Sequence, residues 1–465
     1  MTNTLTPRHE KKASKNPAKY ETGVGLQKHK RGAIDILIAV LTPIAGSELL
    51  DKYNLRGAFN KGIFESTKGL FTTLGVANRT FKKVSGNKGG PKRLDKANAD
   101  FFDLTPEDEQ KMIADTVKEF AVEVIRPAAY ESDKNKAYPA DLLTKVAELG
   151  VTAINIPEDF DGIASQRSTV TNSLVAEALS YGDMGLALPI LAPSGVASAL
   201  TNWGSAGQQA TYLKEFAGEN VPQASVVIAE PQALFDPFSL KTTATRTPSG
   251  FRLNGVKSLV PAAAQAELFI VAANYNGRPS LFIVESGTEG ITVEEDPSMG
   301  IRGAALGRLN LTNVAVPATG LLGEDGAGDS DYSEAVALAR LGWASLAVGT
   351  GQAVLDYVIP YVKQREAFGE PIARRQAVAF MCANIAIELD GLRLVTLRGA
   401  SRAEQGLPFI REAALARKLA TDKGMQIGLD GVQLLGGHGF TKEHPVERWY
   451  RNLRAIGVAE GVVVL

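Results

Sequence analysis

The 465-residue chain has a single cysteine, Cys382, so it can form neither an intramolecular disulfide nor a thiolate-based metal site. Its four histidines (His9, His29, His438 and His444) show no i,i+4 pairing, which argues against a metal centre. The first hundred residues also lack a long apolar run. The stretch 34–50 is broken by Pro43 and carries Asp35 and Glu48, and it is shorter than the ~20 apolar residues a membrane span needs. No apolar signal-peptide core stands near the start. A lone thiol fits a reducing compartment, so the expected location is cytoplasmic, with peripheral membrane contact as an added reading. What remains is ordinary globular composition, 45% hydrophobic and 22% charged, in a chain long enough for two or three domains.

The net charge of −1 conceals two unlike pieces. Residues 1–100 hold 19 Lys and Arg against 8 Asp and Glu, a balance of +11, and the remainder carries −12. Such asymmetry points the basic piece towards an anionic surface. Residues 1–31 are Lys-rich and aromatic-poor, the composition of a disordered tail. Further on, Leu55, Phe59, Ile63, Phe64, Leu70, Phe71 and Leu74 alternate with Lys and Arg at roughly helical spacing. That pattern suits a basic amphipathic helix over residues 30–83, either lying on a membrane or docked onto its own enzyme or a partner. Residues 82–96 form a Gly/Lys/Pro linker. No nucleic-acid-reading module accompanies the charge, so a nucleic-acid partner is not expected.

Beyond residue 100 the texture falls into three parts. Residues 101–223 read as a helical domain, starting with Thr105 as N-cap and Pro106 at the first helical position. Helical spacing continues over 142–149, 170–179, 196–203 and 208–216. Residues 224–330 carry short β-rich runs, including 240–245 and 251–253. Asn254-Gly255 and Asn276-Gly277 are expected there as hairpin turns, and the whole as a small sandwich or barrel. Residues 331–465 return to helix in segments of about 30 residues, 336–365, 376–405 and 409–435, which pack as an antiparallel bundle.

Isolated motifs decide little. Gly349-Thr-Gly-Gln-Ala-Val354 sits in a helical pattern with no strand before it, so close helix packing explains it better than dinucleotide binding. Gly436-Gly437-His438-Gly439 serves equally as a helix C-cap or as backbone laid against a cofactor. Ser194 in Pro-Ser-Gly lacks the surroundings of a nucleophile and reads as a turn.

Their combination and order say more. Gln364-Arg-Glu-Ala-Phe-Gly369 with Pro371-Ile372 and Gln376, then Val432-Gln-Leu-Leu-Gly-Gly-His-Gly-Phe440, then Pro445-Val-Glu-Arg448 with Arg451, Arg454 and Glu460-Gly461, resemble signatures of the acyl-CoA dehydrogenase family. Glu230-Pro231, Leu253-Asn-Gly-Val-Lys257, Met299-Gly-Ile-Arg302 and Val316-Pro317 stand where that family has matching segments. The resemblance covers about residues 102–465. It implies a mainly α fold with a central β-barrel: an N-terminal helical domain, the barrel and a C-terminal four-helix bundle.

The resemblance also implies a chemistry. An acyl-CoA thioester loses an α-proton and a β-hydride, the hydride passes to FAD, and an electron-transferring flavoprotein collects the electrons. By motif position Glu460 is the base, a role that suits a carboxyl withdrawn from water. Ala229, Arg365, Phe368, Gln376, Gln433, Leu434, Leu435, Gly436 and Gly437 match cofactor-binding positions. Arg365 matches an arginine that reaches across a subunit interface to the pyrophosphate, which implies a homo- or hetero-oligomer, dimeric or tetrameric. Arg340 and Gly461 match positions near the substrate.

Departures from the family pattern are also present. Ala229, Leu234 and Phe235 stand where the family has hydroxyls and a flexible glycine, Leu259-Val-Pro261 replaces a flavin-facing segment, and Val462 replaces a threonine. The family also continues into another helical stretch past the equivalent of Glu460-Gly461. These differences point to an unusual substrate, a heteromeric arrangement or lost activity. They keep an alternative open: a non-catalytic subunit or scaffold in a hetero-oligomer.

Overall fold

The computed structural model describes residues 104–164, 167–323 and 328–465, which all belong to the unit Phe81–Leu465. The expected basic tail, its amphipathic segment at 30–83 and the linker at 82–96 lie outside the described residues.

The helical part opens with α1 (Asp108–Phe120), a π-helical turn and α2 (Arg126–Asn135). The helix begins later than Thr105 predicts. Glu107 is its N-cap, and Gln110 Oε1 accepts from Glu107 N at 3.0 Å. That reciprocal capping box satisfies more of the exposed backbone donors than a threonine alone. Then come α3 (Leu142–Ala147), α4 (Thr169–Gly182), α5 (Met184–Trp203) and α6 (Ala206–Ala217).

Helix α5 is the main surprise here. It runs through Pro189 and Pro193, and Ser194 lies inside it, buried, not in a turn. Proline normally interrupts a helix because its nitrogen donates no hydrogen bond. The Pro189 carbonyl, which would look to residue 193, instead accepts from Gln223 Nε2 at 3.3 Å. At its start the Asp183 side chain accepts from Gly185 N and Leu186 N. The helix is apolar enough to cross a membrane, yet it is buried in the core.

The middle part is one seven-stranded sheet: β1 (Ala224–Val227), β2 (Thr243–Thr247), β3 (Gly250–Val260), β4 (Leu268–Tyr275), β5 (Arg278–Glu285), β6 (Ile291–Glu295) and β7 (Gly307–Pro317). On one side β4 pairs with β5, and on the other with β1 and the start of β2, after which β3, β7 and β6 follow. No pairing among the described residues closes this into a barrel. The sheet curls over its own core while its other face meets the helices. Alternation along β4 divides the two faces: Phe269, Val271 and Ala273 face the sheet's core, and Leu268, Ile270 and Ala272 the helical one.

Asn276-Gly277 turns β4 into β5 with both residues at positive φ, as its composition predicts. Asn254-Gly255 does not turn the chain. It lies within β3, where the register shifts between Leu253 and Gly255, and the β2–β3 turn falls at residues 248–249. A side chain on Gly255 would strike Thr242, so the glycine serves a bulge.

The last part holds α7 (Gly328–Gln364), the two-residue strands β8 (Glu366–Ala367) and β9 (Glu370–Pro371), α8 (Gln376–Glu404), α9 (Ile410–Leu435) and α10 (Val446–Leu453). Helix α7 packs on α4, α8 and α9, and the short α10 packs against α9 and α7. Gly349 belongs to helix packing as expected, since a methyl there would lie 2.0 Å from the Glu177 carbonyl of α4.

Candidate active site

After α10 a 3₁₀ turn (Arg454–Gly457) brings the chain back against β1, where Gly461 bridges Val227. Glu460 is thereby carried inside, only 7% exposed. Its carboxylate meets two cations from different helices. Arg340 of α7 donates from Nη2 to Oε1 at 2.9 Å and from Nε to both oxygens at 3.2 and 3.3 Å. Arg417 of α9 holds Nη2 at 3.6 Å from Oε1 and donates to the Ala459 carbonyl at 2.5 Å. The cluster therefore carries one positive charge in excess. Arg417 Nη1 is buried and finds no partner among the described residues. Burial pulls the Arg417 guanidinium below its ordinary range, with Glu460 opposing and Arg340 adding to the shift. Burial likewise lifts the Tyr332 phenol far above its usual range, and the charges of Glu460 and Glu230 push it further.

Ala229 lies on this side of the molecule, buried two residues beyond the Val227 bridge, and its carbonyl accepts from Ser258 N at 3.0 Å. Beside it Glu230 and Lys257 form a second ion pair of 2.9 Å with side chains 2% and 0% exposed. Burial pulls Lys257 down to about 8 against the charge of Glu230. Burial alone would raise Glu230, but Lys257 and the Thr242 and Lys241 amides outweigh it and hold the carboxyl below its usual range.

The other predicted residues gather elsewhere. Arg365, Phe368, Gln433 and the run Leu434 to Gly437 line an open groove of about 840 Å³ between the C-terminal ends of α7 and α9. Tyr361, Arg375 and His438 line it too, and Gln376 starts α8 between the lining residues Arg375 and Ala377. Phe368 stands 94% exposed, and the Arg375 guanidinium lies 5.7 Å from its ring centre. A methyl on Gly436 or Gly437 would meet nothing within 4 Å, so bare backbone faces the opening. Tyr361 Oη donates to the Leu435 carbonyl at 3.2 Å and lies 2.7 Å from His438 Nδ1. Because the carbonyl only accepts, the single phenol proton belongs there, and His438 Nδ1–H donates to the phenol. The rings of His438 and His444 lie tilted by 31° with centroids 5.5 Å apart, and Tyr357 Oη is 2.7 Å from His444 Nδ1.

The two clusters are far apart in one chain. Arg365, the residue just past the end of α7, follows Arg340 by 25 residues, a rise of roughly 37 Å at ~1.5 Å per residue.

Arg417, Arg375 and Tyr361 are not among the residues the motifs select, and His438 stands inside a motif with no role assigned to it. Arg417 had a usable signal. It follows Ala413 by four and precedes Ala420 by three, which sets a cation on the buried small-residue face of α9. Three of the departing positions, Leu234, Leu259 and Val462, adopt left-handed backbone with φ of 54°, 55° and 65°. Non-glycine residues enter that region at a cost of order 1–3 kcal/mol.

A helical domain, a curled sheet and a helical bundle, with a buried carboxylate on one side and a groove of cations and open glycine backbone on the other, define a flavin-dependent dehydrogenase. Residues 107–220, 225–314 and 326–462 match the N-terminal, middle and C-terminal domains of acyl-CoA dehydrogenases. A probable acyl-CoA dehydrogenase of Bacillus subtilis is 33% identical over 77% of this chain and 96% of its own length. A chain in the solved structure described as the electron transferring flavoprotein of Acidaminococcus fermentans superposes with a TM-score of 0.72, at 29% identity over 78% of this chain and 96% of that one. The structure of PigA with FAD and proline gives a TM-score of 0.71, at 25% identity over 77% and 95%. The chain belongs to the acyl-CoA dehydrogenase family and is an FAD-dependent oxidoreductase. The groove fits that cofactor: two guanidiniums suit phosphate, the glycines admit close approach, and Phe368 offers a flat apolar face.

Proposed function

We propose that the protein dehydrogenates a saturated acyl-CoA, with Glu460 taking the α-proton and an electron-transferring flavoprotein receiving the electrons. The observation that carries this reading is the buried Glu460 carboxylate, the one with a family motif position, set between Arg340 and Arg417. Bound FAD supplies the acceptor for the hydride that leaves the β-carbon. The residues of this chain do the rest. The surrounding core excludes water, and the base must be freed from the guanidiniums, because a lone pair held by Arg340 cannot receive a proton. Arg340 is the partner able to move, with its side chain 24% exposed against 11% for Arg417.

We propose further that the enzyme works as a homo-oligomer whose groove serves the flavin of another copy. A flavin's ring does not lie ~37 Å from its own pyrophosphate along one helix, so Glu460 and Arg365 of one chain attend different cofactors. Exposed Phe380, Ile387 and Leu394 recur every seven residues on α8, with Leu429 exposed on α9, an apolar stripe that a second copy would cover. The alternative of a non-catalytic subunit is not favoured, since the carboxylate, its cations and the groove are all present. Purified protein is expected to be yellow and to bleach when an acyl-CoA is added. Protein that stays colourless after incubation with FAD, and gains colour only beside a paralogue, would overturn the homomeric reading.

For residues 1–100 we propose a cytoplasmic protein whose basic segment meets an anionic membrane surface, each Lys or Arg contributing up to about 1 kcal/mol. The charge of +11 supports this. Salt-sensitive pelleting with anionic vesicles is the expected result. Pelleting indifferent to salt and lipid charge would leave only docking on protein.

A further inference from the structure

From Glu460 the chain runs inward. Gly461 and Val462 both take left-handed backbone, with φ of 77° and 65°. For a β-branched residue such as Val462 this is a strained state that surrounding contacts must enforce. Those contacts come from three elements. Trp343 Nε1 of α7 donates to the Gly461 carbonyl at 2.9 Å, Val462 N donates to the Val226 carbonyl of β1 at 2.9 Å, and Ser198 Oγ of α5 donates to the Leu465 carbonyl at 3.2 Å. Val462, Val463, Val464 and Leu465 are each at most 3% exposed. Both flanking helices are notched to admit them. A methyl on Gly195 of α5 would lie 2.2 Å from the Val462 carbonyl, and one on Gly342 of α7 would lie 2.2 Å from that of Val463. Four apolar residues thus lie as an extra layer between α5 and α7.

This bears on the substrate, given the reading of Glu460 as the base. A thioester with its α-carbon at that carboxylate must lay its alkyl tail in apolar space that begins there. The space running from Glu460 between α5 and α7 is taken by the chain itself. We infer that Val462–Leu465 form a built-in floor to the acyl slot and restrict the enzyme to short acyl groups. Volume sets the restriction, because well-packed interiors have no spare methylene-sized space.

The test measures affinities of the holoenzyme for saturated acyl-CoAs of increasing length, read from the perturbation of the flavin absorbance. Wild-type protein is expected to bind short thioesters best. Val463→Ala and Val464→Ala each trim the floor, at neighbouring points along it. Both variants are expected to raise the long-to-short affinity ratio, by about fourfold per methylene admitted. A purely structural loss would lower all affinities together and leave that ratio alone. Equal binding of long and short thioesters by wild-type protein would overturn the inference even if neither variant folds. So would an unmoved ratio in both variants. The outcomes separate cleanly: if no acyl-CoA of any length bleaches the flavin, the dehydrogenase reading itself falls. If short ones bleach it and the ratio does not move, only the floor does.

Discussion

Glu230 and Glu460 are both buried carboxylates facing cations, yet their surroundings differ in every other respect. Glu230 is fully accounted for: Oε1 accepts from Lys257 Nζ and Thr242 N, Oε2 accepts from Lys241 N, and Lys257 also donates to the Ile228 carbonyl. Charge balances, and neither side chain reaches solvent. Glu460 faces two guanidiniums, one carrying a buried nitrogen without a partner among the described residues and the other a quarter exposed. Two residues after it, Val462 is held in left-handed backbone that a β-branched residue enters only under strain. A closed pair is a structural fastening whose halves depend on each other. In the role proposed for Glu460, the carboxylate has to be released from its guanidiniums before it can take a proton, and Arg340 is the more exposed of the two.

This contrast is sharpest if Glu460 is changed. Glu460→Gln keeps the shape and removes the base, so α-proton exchange into deuterated solvent should fall by about 10²–10⁴-fold with flavin content unchanged. Wild-type exchange in that variant would move the base elsewhere and dissolve the distinction. Glu230→Gln should do the reverse. It leaves Lys257 buried without its counter-charge and should cost about 3–5 kcal/mol in denaturant unfolding. Adding Lys257→Met should recover much of that loss, since it removes the uncompensated buried charge and leaves an apolar side chain of similar volume.

The pair should also leave a mark on stability against pH. Glu230 is held below its usual range in the folded protein, so its contribution is present above the unfolded carboxylate value of about 4.3 and fades as acid titrates the folded group. Lys257, pulled down to about 8, gives a slope of the same sign on the alkaline side. Between there and its unfolded value of about 10.4, the unfolded chain holds a proton that the folded one has lost, so this group makes stability rise with pH. Denaturation midpoints of wild type and the double variant across both windows test this, and coincident curves would refute it. The smallest expected effect lies in the groove. Tyr361→Phe removes the bond to the Leu435 carbonyl and should cost about 1 kcal/mol. A fewfold weaker hold on FAD, measured by fluorescence titration, should accompany it, because that carbonyl leads directly into Gly436-Gly437.

Much of this was readable from local pattern. The long helices of the last part follow from 3.6-residue spacing, and the positions of Glu460, Arg365 and Gly437 from motif order. Elements with an unusual local signal went wrong. Asn254-Gly255 has the composition of a turn, but its glycine supplies a bulge against Thr242. Pro189 and Pro193 ought to break a helix, but Gln223, 34 residues on from Pro189, satisfies the carbonyl that Pro193 strands. Arg417 belongs to no motif, although helical spacing sets it on a buried face of α9.

By itself, then, the sequence determined the order of helices, strands and helices, the two-faced alternation of the central strands, and which glutamate and arginine carry the motifs. These depend on spacing over a few residues, where side-chain direction repeats with the backbone. The tertiary structure alone decided that Glu460 is met by Arg340 from 120 residues away and by Arg417 from another helix. It alone decided that the segment beyond Glu460 is packed between α5 and α7. Such pairings follow from burial, where an unmatched charge or an empty slot is costly and whichever distant group can reach it is held there.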